Sequence, residues 1–553
     1  MKFYLSHILL LIFLLTVSIL SAGCTPQEMI PPISASTAVP QVILASPTPA
    51  ATATDTPPEP VLYLDPAVPA FYLDGIQFPS EWTLTTDREA ANITITLNAE
   101  QPQTQLVYTL AAPFNTVEDS ISSADLQNIW QGNISTNTSL QNILVSRSTL
   151  NVFETIWGPA SQNVTVLNEQ QLSQRAWRKE NYWAIMPFQY LEPQWKVIEI
   201  DGQSPIHKSF DAANYSLAIP VSVKHNPEIQ PAILKLLSLP PANYDPDLLV
   251  TVNLTGVTAL VRATAGMMEF RGITYPATDI RDILSEADIT HINNEVPFTP
   301  SCPLPQEVQT SLVFCSRPVY IELLEDVGTD VVELAGDHFQ DWGADAVLYT
   351  LDMYNERGWQ YYGGGRNTED AQQPALFNIN GTKIAFIGCN AKPKGYSGAS
   401  ETSPGAIHCD MDWMDAKVKE LNKQGYLTIV TFQHLEYYSY KIHPILQEDF
   451  RKMADAGAII VSGSQAHQPQ AIELYKETFL HYGLGNLFFD QYNEGKETRQ
   501  AFIDRHVFYN GKYIATELLT IEFTDYAHSQ PMSLESRQSL LETVFDVSLW
   551  NWQ

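Results

Sequence analysis

Between residues 248 and 524 one pattern recurs, and it restricts the fold more than any other feature of the chain. A short apolar run ends in a polar cluster, a helix-like stretch follows, and the next apolar run begins. Residues 249–254 lead into Thr255-Gly256-Val257-Thr258, and 289–293 into Asn294-Glu295-Val296-Pro297. Residues 331–335 end in Gly336-Asp337-His338, and 428–432 in Gln433-His434-Leu435-Glu436. Residues 458–461 end in Ser462-Gly463-Ser464-Gln465-Ala466-His467, and 479–482 in Gly483-Leu484-Gly485-Asn486. Residues 383–387 give a further strand, and 279–287, 414–421 and 444–454 read as helices. Apolar strands alternating with helices predict an α/β domain built in layers. Polar residues just past strand ends gather on one rim, where such folds place their sites.

The remaining chain divides by composition. Its 553 residues exceed one core and suggest several units. Residues 1–24 read as an export signal: Lys2 precedes an apolar stretch over 8–20 that is too short to span a bilayer comfortably. Leu20-Ser21-Ala22-Gly23-Cys24 resembles a lipobox, which implies lipidation at Cys24, a membrane partner through that anchor, and a place at the outer face of the cell membrane. Residues 25–60 are rich in Pro, Thr and Ala and read as an extended tether. Residues 61–225 read as a smaller α/β domain, 226–247 as an interdomain segment, 248–524 as the main domain and 525–553 as a C-terminal extension.

In the first domain, 92–97, 183–188 and 195–200 read as strands. Residues 123–130 read as a helix capped by Ser123, with Leu126, Ile129 and Trp130 on one face. The string from Ser123 to Gly132 and the 183–188 strand resemble solute-binding proteins of the phosphate type. That resemblance implies capture of a small anion.

Charge and cysteines narrow the function. Lys plus Arg number 31 against 62 Asp plus Glu, a formal charge of -31. A chain this acidic repels polyphosphate backbones, which argues against nucleic acid as a partner. An anionic polymer would have to meet a local basic patch. In an oxidising compartment the four later cysteines can pair. Proximity suggests Cys302 with Cys315 and Cys389 with Cys409, among three possible pairings. Gly363 to Gly365 lack the strand–helix frame of a dinucleotide loop, and no G-x-S-x-G elbow is present.

The ordered strings resemble the CapA family of poly-γ-glutamate capsule proteins. They are Asn293 to Pro297, Ala335 to Gly343, Gly363 to Ala371, Phe432 to Tyr437, Asp455 to His467 and Tyr482 to Phe488. The resemblance implies a metallophosphatase-like layered β-sandwich with flanking helices. It implies an anionic capsule polymer, or the machinery that makes it, as partner. It also implies one divalent metal ion, with Glu295, Asp337, His467 and His434 as ligands. His338 would act as general acid beside Asp341 and Glu436, and Arg262 and Asn486 would meet substrate. The chain departs from the family pattern at Val257, Phe432 and Gln465, where the family has an Asp and two His. Three functions stay open: a surface lipoprotein for synthesis, export or anchoring of the polymer, a metal-dependent hydrolase of γ-glutamyl or phosphate-ester bonds, or a non-catalytic binder of an anion or polymer.

Overall fold

The computed structural model describes residues 58–97, 100–306, 309, 311–393 and 397–552. The signal, Cys24 and nearly all of the tether lie outside them. These described residues fall in one compact unit.

Its first part is a mixed sheet. The strand order is Thr83–Thr85, Val61–Leu64, Ile93–Leu97, Ala218–His225, Thr104–Pro113, Tyr182–Pro187, Asn142–Val145 and Val164–Val166. Trp195–Ile200 joins along Thr104–Pro113. Helices Ser123–Trp130, Arg147–Trp157 and Glu169–Arg178 pack on it. Ser122, not Ser123, caps the first of these, its hydroxyl accepting from Asp125 N–H at 3.0 Å. Residues 226–247 contain helix Pro231–Leu234, pair Ser238 with Gln77, and lay Leu237, Leu239 and Tyr244 on the sheet's core.

The second part is a sandwich of two sheets. The nine-stranded sheet runs Gln360–Tyr362, Val331–Glu333, Ile289–Asn294, Leu249–Thr255, Gln500–Tyr509, Lys512–Thr524 and His528–Pro531, with Val257–Thr258 and Asn486–Phe488 beside it. The seven-stranded sheet runs Ala375–Ile379, Thr382–Asn390, Leu427–Gln433, Ile460–Gly463, Thr478–His481, Ile472–Lys476 and Leu549–Trp552. The chain's last residues therefore complete both sheets.

Alternation explains the apolar runs. Ile384, Phe386, Ile429 and Ile460 face the other sheet, where they meet Val250, Val252, Ile289 and Val331. Ala385, Ile387, Val430, Phe432 and Val461 face outward against helices Met411–Lys423 and Pro444–Ala456. Strands buried on both faces need apolar residues at every position, as parallel strands usually do. Helix Pro444–Ala456 starts with Pro at its first turn and stops at Gly457, whose φ of 104° suits a residue without Cβ. Helices Arg262–Arg271 and Gly343–Glu356 cover the outer face of the other sheet. The domain is thus an α/β layered sandwich with flanking helices.

Candidate functional site

Central strands of both sheets are parallel, so their C-terminal ends share one rim. Glu295 follows Ile289–Asn294, its N–H bonded to Thr258 O at 2.9 Å. Asp337 and His338 follow Val331–Glu333. Gly336 allows the two loops to touch, since a Cβ there would lie 2.8 Å from Glu295 O and 2.9 Å from Glu295 Cα. Lys392 lies two residues past Thr382–Asn390, its N–H held by Asn390 Oδ1 at 2.8 Å. Gln433 ends Leu427–Gln433, and Glu436 follows it. Gln465 and His467 follow Ile460–Gly463.

These side chains form one network. Lys392 Nζ donates to Asp337 Oδ2 at 2.8 Å and to Glu436 Oε1 at 2.8 Å. Gln433 Nε2 donates to Asp337 Oδ1 at 2.9 Å and to Glu295 Oε1 at 3.2 Å. Gln465 Nε2 donates to Glu295 Oε1 at 2.9 Å. His338 Nδ1 lies 2.7 Å from Asp341 Oδ2, which also accepts from Phe314 N–H at 2.7 Å. His467 Nδ1 lies 2.8 Å from Asn486 Oδ1.

Burial and charge set the proton populations. Burial, then the Asp337 carboxylate, push Glu295 up to about 7. Burial also works to raise Asp337, but the Lys392 ammonium and His338 outweigh it and hold Asp337 at about 2. Burial would neutralise His338; the Asp341 bond and the Glu295 and Asp337 charges prevail and raise it to about 9. His467 is lowered by burial, against the pull of Glu436, and stays a neutral imidazole. The rim therefore holds a carboxyl that exchanges its proton near neutrality, beside a fixed carboxylate and an imidazolium.

The structure brings Glu295, Asp337, His338, Asp341, Glu436 and His467 together. It does not bring His434, whose Nε2 lies 3.0 Å from Asp449 Oδ2 and whose Nδ1 accepts from Leu435 N–H. Strand parity is the reason: Phe432 packs outward, so Gln433 is the residue that reaches the carboxylates. Asn486 does not offer its side chain to a ligand, because it holds His467 and donates to Thr498 O at 3.0 Å. Arg262 has a left-handed φ of 48°. Its guanidinium lies over Phe314 and Phe489, 5.0 Å from each ring, and Phe314 in turn packs edge-on against His338. Disulfides join Cys302 to Cys315 and Cys389 to Cys409. Sequence reasoning missed Lys392 and Gln433. The strand-end rule could have found Gln433, which closes the 428–432 run; Lys392 gave no such signal.

Glu295, Asp337 and His338 have ligand atoms within 4.8 Å of one another, compact enough for a divalent ion. Three of their four carboxylate oxygens already accept from donors of the chain itself. Asp337 spends one oxygen on Lys392 and the other on Gln433, and Glu295 Oε1 accepts from two amides. A divalent ion needs deprotonated ligands with free lone pairs. Here an ammonium already sits between Asp337 and Glu436 and neutralises them, so the residues as arranged do not fit a metal.

Residues 251–491 match the family model described as bacterial capsule synthesis protein PGA_cap. The capsule biosynthesis protein CapA of Bacillus anthracis is 27% identical over 214 residues, 38% of this chain and 52% of that protein. The chain spans about half the length of the curated relatives it matches. Among solved structures, the 5'-nucleotidase precursor from Thermus thermophilus aligns with a TM-score of 0.31 at 12% identity, covering 53% of this chain and 57% of that one. An ABC-type phosphate transport receptor from Vibrio cholerae aligns with a TM-score of 0.25 at 11% identity, covering 32% of this chain and 91% of that one.

Proposed function

With residues 251–491 belonging to the bacterial capsule synthesis family of CapA-type proteins, we propose that this chain serves the synthesis, export or anchoring of poly-γ-glutamate or a related capsule polymer. The observation that carries the reading is the rim cluster of His338, Lys392, Gln433 and Gln465. Each unit of such a polymer bears a carboxylate and an amide. An imidazolium, an ammonium and carboxamides are the groups that recognise both. The test is binding of purified full-length protein to poly-γ-glutamate at low and high salt. Binding that weakens with salt and falls at least about tenfold in His338→Ala supports the reading, as loss of a charged hydrogen bond should. Equal binding by wild type and variant sinks it.

We further propose that the protein acts outside the cytoplasm, held to the membrane by lipid on Cys24. The support is the apolar 8–20 stretch and the small residues before Cys24. Fatty-acid labelling of the wild type that Cys24→Ser abolishes is the expected result. Equal labelling of both would refute it.

One observation favours a second reading, hydrolysis of a γ-glutamyl bond. Glu295 near 7 can take a proton from water, and His338 can give one to a leaving amine. New amine termini from incubated polymer, absent with Glu295→Gln, would establish it.

A further inference from the structure

We propose that Lys392 is a built-in cation that occupies the place of a divalent metal, so that this rim site handles its ligand without one. The inference rests on the geometry alone and does not depend on which polymer is bound. Lys392 Nζ bridges Asp337 and Glu436 at 2.8 Å each, with its side chain only 10% exposed. That is the position of a bridging ion, between carboxylates from two different sheets. Of the oxygens not facing Lys392, Asp337 Oδ1 accepts from the Gln433 amide and Glu436 Oε2 from the Tyr438 hydroxyl, while the Gln465 amide donates to Glu295. Each of these amide N–H groups takes up a carboxylate lone pair beside the ammonium. Val257, at the head of the same rim and fully buried, offers no lone pair at all. Lys392 thus supplies the positive charge that a metal would bring between Asp337 and Glu436, and Val257 adds no ligand of its own.

The substitution changes what the site can do. A metal lowers the pKa of a bound water and polarises an oxyanion. An ammonium fixes the carboxylates and offers its remaining proton to an acceptor, but leaves water chemistry to Glu295 and His338. Lys392 also explains why so many acidic groups can sit together in a buried pocket, since uncompensated burial of these charges would be costly.

The experiment uses untagged full-length protein, stripped with chelator and dialysed against manganese, zinc or magnesium. Bound metal is measured by elemental analysis, and melting temperature is followed in parallel. The wild type should retain less than about a tenth of an equivalent and should not be stabilised by the ions. Lys392→Ala, checked for folding by circular dichroism, should take up about one equivalent and gain melting temperature with metal. A wild type that holds about one equivalent, lost in Asp337→Asn, would overturn the proposal. So would a folded Lys392→Ala that takes up no metal. Lys392→Met, which keeps the side chain's volume, is the second variant should Lys392→Ala not fold, and the wild-type measurement decides against the proposal in either case if metal is present.

Discussion

His481 Nδ1 donates to Asp504 Oδ2 across 2.6 Å, with both side chains fully buried. The two residues come from facing sheets of the sandwich, one on Thr478–His481 and the other on Gln500–Tyr509. The bond therefore crosses the interior between the sheets, as the Tyr362–Thr431 hydroxyl pair also does. Removing one partner leaves the other buried without its hydrogen bond, which costs about 1–3 kcal/mol. Asp504→Ala should lose that much in urea unfolding. The double variant His481→Phe with Asp504→Leu should lose clearly less than the summed single variants. Additive losses would mean that the two do not act as a pair.

His506 lies two residues further along the same strand and predicts how stability depends on pH. Burial lowers it to about 4, against the Asp504 charge, and its Nδ1 lies 2.7 Å from Thr516 Oγ1. The folded protein thus binds fewer protons than the unfolded chain between about 4 and 6.5. Stability from this residue is complete above 6.5 and is lost as pH falls toward 4. The whole effect is on the order of 3 kcal/mol. Thermal melts of the wild type should fall more steeply across this window than those of His506→Gln. Parallel slopes would remove His506 as the cause.

The strand-end clusters were legible because central strands are buried on both faces and so stand out as apolar runs with polar ends. Glu295, Asp337, His338 and His467 follow directly from that rule. Lys392 was not legible, since a lone lysine reads as a solvated residue. Its meeting with Asp337 depends on which strands share a rim, and that is a matter of sheet order rather than local pattern. Gln433 and His434 differ by one position, and strand parity chooses between them only once Phe432 is known to pack outward. Residues 226–247 read as a connector because prolines break their period, while their apolar side chains still find the sheet. The end of the chain carried no signal that it would pair with Ile472–Lys476.

Gly336 links backbone packing to the site. A Cβ at this position would meet Glu295 backbone atoms at 2.8 and 2.9 Å, closer than side-chain carbons tolerate. Neither neighbour is a flexible tip that could move aside. Gly336→Ala should therefore cost about 1–3 kcal/mol by overpacking. It should also push Asp337 away from Glu295 and weaken polymer binding. Denaturant unfolding and the binding assay check the two effects separately, and an unchanged protein in both would show that the loops can part without consequence.

The Cys389–Cys409 disulfide couples stability to Lys392. Cys389 is buried near the end of Thr382–Asn390, three residues before Lys392, and its partner lies 20 residues on. The ring therefore encloses the loop that carries the ammonium. Closing a loop of this size removes unfolded-chain entropy worth about 3 kcal/mol. Cys389→Ala with Cys409→Ala should lower unfolding free energy by about that amount. It should also loosen Lys392, which leaves Asp337 and Glu436 facing each other without their cation. Salt-sensitive polymer binding should then weaken more in this variant than in Cys302→Ala with Cys315→Ala, whose ring spans 13 residues elsewhere on the rim. Equal binding losses in the two variants would show that the loss follows global stability and not the position of Lys392.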